Sequence, residues 1–272
     1  MPRTPWWKRP IVWIVSVVII GVGAQLQATI QVYVSAILSA VGVTEPGPPI
    51  EVLDVHLDPT GAEFVLPNGV NNQELATWDR RNMPSTEWLR AHGAVPVDQV
   101  SWEITLVGRR TEAVAITDMK PILEGGQCAA SVSGALIQRR PAGGPSGIID
   151  LTAAIDSPDR ALKRRDDKGE PQLFFTKNNL LLPAGEKNTL AIITTTAGPY
   201  CRWTLDVEYL ADGGRQTMTI TAPGEEPFSV TGKLDPSKYE PVFIACDKSY
   251  LQVSGTEYAE ISSGSYDPCS GQ

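Results

Sequence analysis

The side chains best suited to nucleophilic, acid–base or metal chemistry are two histidines, His56 and His92, and four cysteines, Cys128, Cys201, Cys246 and Cys269. A nucleophilic hydrolase needs an imidazole beside a hydroxyl or thiol. Serines are plentiful, but no G-x-S-x-G turn is present, and the loop Gly144-Pro-Ser-Gly147 lacks that spacing. Structural zinc sites draw cysteines and histidines from closely spaced pairs. No C-x-x-C occurs, and neither histidine lies near a cysteine in the chain. Asp166-Asp167-Lys168-Gly169-Glu170 gathers carboxylates of the kind a hard cation prefers. The alternating acids of a calcium loop are missing, and Arg164, Arg165 and Lys168 would repel a cation, so this stretch reads as a solvated loop. No glycine-rich phosphate loop follows a strand. The expectation is therefore no catalytic residue, no metal ligand and no cofactor. A hydrolase stands as an alternative that would require His56 or His92 beside a nucleophile or carboxylate in a pocket.

An even number of cysteines in a domain outside the cytoplasm reads as a disulfide framework, and four cysteines allow three pairings. Cys128 and Cys201 fall on strands expected to lie in the core. Cys246 and Cys269 bracket a polar C-terminal stretch, 247–272, which a disulfide would tether. The favoured pairs are Cys128–Cys201 and Cys246–Cys269.

The elements that carry these residues are mainly strands. Cys201, Trp203, Leu205, Val207 and Tyr209 alternate with Arg202, Thr204, Asp206 and Glu208, the period of a strand with one wet face. Asp212-Gly213-Gly214 then supplies residues that accept positive φ, predicting a hairpin with Arg215–Thr221. Val100, Trp102, Ile104 and Leu106 alternate in the same way, and Gly108-Arg109-Arg110-Thr111 predicts a second hairpin into Ala113–Met119. Ser85, after Pro84, is placed to cap one short helix ending near His92. No other helical periodicity follows Gly42, which disfavours a parallel α/β sheet. The fold class predicted for residues 51–246 is an antiparallel β-sandwich with irregular insertions at 67–99 and 157–171.

Ahead of this domain, Ile11–Ile30 carries no charge. Twenty helical residues span roughly 30 Å, about the thickness of a bilayer's hydrocarbon core. Trp6 and Trp7 suit the headgroup level, and Lys8 and Arg9 end the apolar run. The prediction is a basic tail over 1–10 and one transmembrane helix over 11–30, with the lipid bilayer as its partner. The charge-free stretch continues to Val43, and a Pro-rich connector follows over 44–50. Residues 1–43 hold three bases, Arg3, Lys8 and Arg9, and no acid; the remaining 20 bases and all 31 acids give the rest a net charge of −11. The positive-inside bias puts the N-terminus in the cytoplasm and the large domain outside. Cleavage of a signal peptide after Ala24 is the rival; it would leave the domain secreted.

An acidic outer domain argues against nucleic-acid binding, which needs a basic face to displace counterions. The anchor, the stiff connector, the sandwich and the scarcity of catalytic groups predict an interaction module that binds a protein or an envelope polymer. Sandwich scaffolds carry binding in loops, so 67–99 and 157–171 are the places to look. An accessory subunit of a membrane complex, recognised through residues 24–43, is the alternative.

Overall fold

A computed structural model describes residues 47–58, 63–67, 84–138, 148–166, 168–246, 250–265 and 267–269. The predicted tail, the span over 11–30, its flanks Trp6, Trp7, Lys8 and Arg9, the charge-free stretch to Val43 and residues 44–46 of the connector lie outside the described residues. Among the described residues no helix is long and apolar enough to cross a membrane.

The described residues are mainly β and form three sheets. The first orders β1 (Ile50–Asp58), β4 (Gln99–Gly108), β11 (Lys187–Thr195), β7 (Ile149–Ala154), β8 (Lys163–Arg165) and β9 (Pro171–Leu173). The second orders β10 (Leu180–Leu182), β5 (Val114–Leu123), β12 (Cys201–Ala211) and β13 (Gly214–Ile220), with β14 (Phe228–Val230) pairing the start of β12. The third orders β16 (Tyr250–Val253), β15 (Val242–Ala245), β6 (Ala135–Gln138), β2 (Glu63–Leu66) and β3 (Val95–Val97). Two short helices, α1 (Thr86–Ala91) and α2 (Gly255–Ser262), complete the elements used below.

Alternation decides the second sheet. In β12 the residues Cys201, Trp203, Leu205, Val207 and Tyr209 are buried, and those between them are half-buried or exposed. Asp212 and Gly213 both take positive φ, +51° and +75°, and close the predicted hairpin onto β13. The short helix forms as predicted: the Ser85 hydroxyl accepts from Trp88 N at 3.1 Å, and Leu89 is its buried anchor.

Three expectations change. The turn after Gly108 makes no hairpin, because β4 pairs with β1 and β11 while β5 pairs with β10 and β12. It carries the chain from one sheet to the next. The sheets are also not wholly antiparallel: β7 runs parallel to β11, and β6 parallel to β15. Parallel neighbours need long crossovers, and residues 155–186 and 139–241 separate the two pairs. Finally, the stretch expected as a polar tail holds β16 and α2. Ser254 and Glu257 form a reciprocal capping box at the start of α2, and Tyr258 is buried.

The first and second sheets share one core, which contains Trp102, Ile104, Trp203, Leu205 and Phe228. The third sheet buries both faces. Phe64, Leu66, Ala135, Ile137 and Phe243 join that first core, whereas Val65, Leu136, Val242 and Ile244 join a second one with Tyr239, Val253 and Tyr258. A Cβ on Gly255 would lie 2.4 Å from the Tyr239 carbonyl oxygen, so only glycine lets α2 approach this closely. Tyr258 OH and Gln138 Nε2 both donate to Glu63 Oε1, at 3.1 and 2.7 Å, and Lys233 Nζ meets Glu63 Oε2 at 2.8 Å. Two disulfides form, Cys128–Cys201 and Cys246–Cys269, the two pairs favoured from the sequence.

Candidate functional site

Helix α1, strand β3 and the segment from β13 to β14 enclose a surface groove of about 610 Å³. Its apolar floor includes Leu57, Trp102 and Ala222; its polar walls carry Glu87, Arg90, Tyr200, Arg202, Glu226 and Ser229. Residues 87–96 of the lining belong to the insertion predicted over 67–99.

Each part is positioned from below. Trp102 is an inward residue of β4 and is buried, and its indole Nε1 has no hydrogen-bond partner among the described residues. It meets Phe228 edge-on at 4.9 Å between centroids, and Phe228 in turn stacks on Trp203 at 4.4 Å. These contacts fix the floor, because offset and edge-on arrangements are the favoured aromatic geometries. Arg90, in the last turn of α1, lies over the Trp102 ring at 5.9 Å and donates to the Pro223 carbonyl at 2.7 Å. The cation therefore rests on a π face, with its fork tied to the backbone opposite.

The Cys128–Cys201 disulfide braces the other wall. Beside it, Ala129 and Tyr200 exchange backbone hydrogen bonds of 2.7 and 3.0 Å. Arg202 lies between two carboxylates, at 2.9 Å from Glu124 and 3.7 Å from Glu226. Burial pushes the Tyr200 phenol above its ordinary pKa; Arg202 opposes the shift and Glu124 and Glu226 add to it. At neutral pH the hydroxyl keeps its proton and can donate. The groove thus presents two guanidiniums, carboxylates and a phenol, with Trp102 buried beneath Arg90 at its base. Such a set suits a ligand that offers hydrogen-bond donors and acceptors to the polar walls.

A smaller cavity of about 280 Å³ lies at the β8–β9 hairpin, partly within the second predicted insertion, and its lining includes Arg164, Arg165, Asp166, Gln172 and Phe174. The Asp166 carboxylate there accepts from Lys168 N and Glu170 N, both at 2.9 Å, so it shapes the turn. Among the described residues no group of three or more His, Cys, Asp or Glu side chains is arranged to hold a metal.

The histidines meet carboxylates, a backbone carbonyl and an indole. His56 Nδ1 meets Asp54 at 2.8 Å and Nε2 meets Glu103 at 3.1 Å. Strand alternation puts His56 and Glu103 on the sheet face opposite Leu57 and Trp102, away from the groove. His92 stacks on Trp88 at 3.7 Å between centroids, and its Nδ1 lies 2.8 Å from the Trp88 carbonyl oxygen. All four predicted structural cysteines are joined in disulfides. Sequence reasoning missed Arg90, Trp102, Tyr200, Arg202 and Glu226 as a set. They come from α1, β4, the start of β12 and the β13–β14 segment, and no local spacing relates them. Compared with known protein families, curated proteins and solved structures, the chain matches none.

Proposed function

We propose that this chain is a membrane-anchored binding module whose β-rich domain lies outside the cytoplasm and takes a ligand in the groove beside α1. In this reading residues 11–30 span the bilayer once, the N-terminus is cytoplasmic, and the first two sheets form a β-sandwich. The groove is the observation that carries it: a braced cavity with polar walls over a buried aromatic base. The charge asymmetry of the sequence and the two disulfides are compatible with an extracytoplasmic domain. His56 meets its carboxylates on an exposed sheet face away from the groove, and His92 lies against a backbone carbonyl, which favours binding over hydrolysis. The ligand is a segment of a protein or of an envelope polymer, either of which offers polar groups to the walls of the groove.

The test uses the full chain in detergent micelles, presented to arrays of envelope-derived peptides and of polysaccharides. Ala91 is an exposed residue on the groove's rim, so Ala91→Trp fills the groove without touching the core. Saturable binding to one array class, weakened about tenfold or more by Ala91→Trp and by Arg202→Ala, is expected. Absence of saturable binding, or binding that both variants leave intact, sinks the proposal.

A further inference from the structure

The two guanidiniums of the groove are not equally matched. Arg202 meets two carboxylates, Glu124 at 2.9 Å and Glu226 at 3.7 Å. Arg90 meets none among the described residues. It gives one N–H to the Pro223 carbonyl at 2.7 Å, and its guanidinium lies over the Trp102 ring. Neither contact supplies a neutralising charge. A guanidinium carries its remaining N–H donors in the same plane, in a fork that fits a carboxylate at two points. The groove wall therefore holds a half-buried cation with donors to spare.

Two hydroxyls line the same groove. Those of Tyr200 and Ser229 make no hydrogen bond among the described residues, and both residues are half-buried. Ser229 is the cross-strand partner of Arg202, so it sits on the wall where Glu124 and Glu226 are already turned onto a guanidinium. The charge left without a counterpart in this set is that of Arg90.

Resting on the reading of the groove as a binding site, we infer that its ligand is a peptide segment bearing a carboxylate, which Arg90 receives through charge-assisted hydrogen bonds. The ring below and the Pro223 carbonyl beside it already fix the Arg90 side chain, so little rotamer freedom is lost when the ligand arrives. A polymer of uronic acids would bring the same charged group. A sugar ring, however, docks by laying its C–H face on an open aromatic surface, and Trp102 is buried beneath Arg90. A peptide needs no such platform. Its carboxylate matches Arg90, and its amide N–H and C=O groups match the hydroxyls of Tyr200 and Ser229.

The experiment titrates the full chain in detergent micelles against three pools of hexapeptides. Each pool is amidated at its C-terminus and randomised among uncharged residues, except for one central Glu, Gln or Lys. Binding about tenfold or more tighter to the Glu pool than to the Gln pool is expected, the gain of a charged over a neutral hydrogen-bond partner. In Arg90→Gln the Glu and Gln pools should bind alike. Equal binding of those two pools by the wild type, a Glu preference that survives Arg90→Gln, or tightest binding to the Lys pool overturns the inference. The wild-type comparison decides the matter whether or not Arg90→Gln folds. Saturable binding that ignores the central residue but is blocked by Ala91→Trp, or that goes to oligogalacturonate and to no peptide pool, overturns the carboxylate-bearing peptide and leaves the groove as a binding site. Absence of saturable binding to every one of these probes overturns both.

Discussion

Strand β12 of the second sheet and strand β15 of the third both feed apolar cores, but β12 does so at alternate residues and β15 at consecutive ones. In β12, Trp203 is buried while Thr204 is only partly covered. In β15, Val242, Phe243 and Ile244 are all buried, facing alternately the second core and the first. The second sheet has solvent beyond its outer face, whereas the third lies between the shared core and the layer formed by Tyr239 and α2. A one-faced sheet can place charges along its outer side. A two-faced sheet has no such freedom, so its strands read as continuous apolar runs.

The sharpest test of this contrast compares neighbouring positions. In the second sheet, Trp203→Ala should cost about 3–5 kcal/mol, while Thr204→Ala should stay within about 0.5 kcal/mol. In the third sheet both neighbours should be costly: Leu136→Ala and Ile137→Ala are each expected to lose about 2–5 kcal/mol. Urea unfolding of the four variants reads the differences directly. A Leu136→Ala variant as mild as Thr204→Ala would show that the third sheet has a tolerant face after all.

The two disulfides extend the comparison. Cys128 and Cys201 are 73 residues apart and brace the groove beside the first core, whereas Cys246 and Cys269 are 23 apart and tie down the stretch carrying β16 and α2. Chain-entropy arguments assign about 4 kcal/mol to the longer loop and about 3 kcal/mol to the shorter one. Removing the first pair (Cys128→Ala with Cys201→Ala) should lower global stability and loosen the wall formed by Tyr200 and Arg202. Removing the second should raise hydrogen exchange chiefly over Tyr250–Ser262. Equal exchange patterns for the two variants would mean that the layers do not respond separately.

These contrasts also explain what was legible in the sequence. The face of β12 shows because water on one side enforces a period of two, and the Asp212-Gly213 turn shows because positive φ restricts residue choice. Ser85 shows as a helix cap for the same kind of local reason. The third sheet does not announce its layer, because Phe64-Val65-Leu66 and Val242-Phe243-Ile244 have no periodicity to say what lies on each side. Helix α2 had a local signal in Ser254 and Glu257, but Tyr258 and Ile261 are too few to make an apolar stripe. The turn at Arg109 and Arg110 misleads because a turn between two alternating strands does not say whether the second strand rejoins the same sheet. The groove was beyond reach for a different reason. Arg90 meets Trp102 only because α1 is docked across β4, and Arg202 meets Glu226 only because β14 pairs with β12.

The smallest expected effect concerns what each sheet does with charge. The third sheet satisfies Glu63 through Gln138, Tyr258 and Lys233 within its packed layers. Beside the second sheet, one ion pair sits at the turn, where Arg110 is nearly buried and Asp212 is partly open to solvent. Hydrogen bonds from Arg110 hold the Asp212 carboxyl below its ordinary pKa, helped by the charge of Arg110 and by Gln216 against a counteracting desolvation. A folded pKa below the unfolded value contributes stability that is present above about pH 4 and lost as pH falls through the folded value. Asp212→Asn keeps one acceptor for Arg110 but removes the charge, so it should cost on the order of 1 kcal/mol at pH 7. The gap between wild type and variant should then close as the pH is lowered below about 4. Thermal unfolding of both proteins between pH 7 and pH 3 measures that gap. If it stayed constant with pH, the carboxylate would contribute through shape alone, and the turn would not depend on its charge.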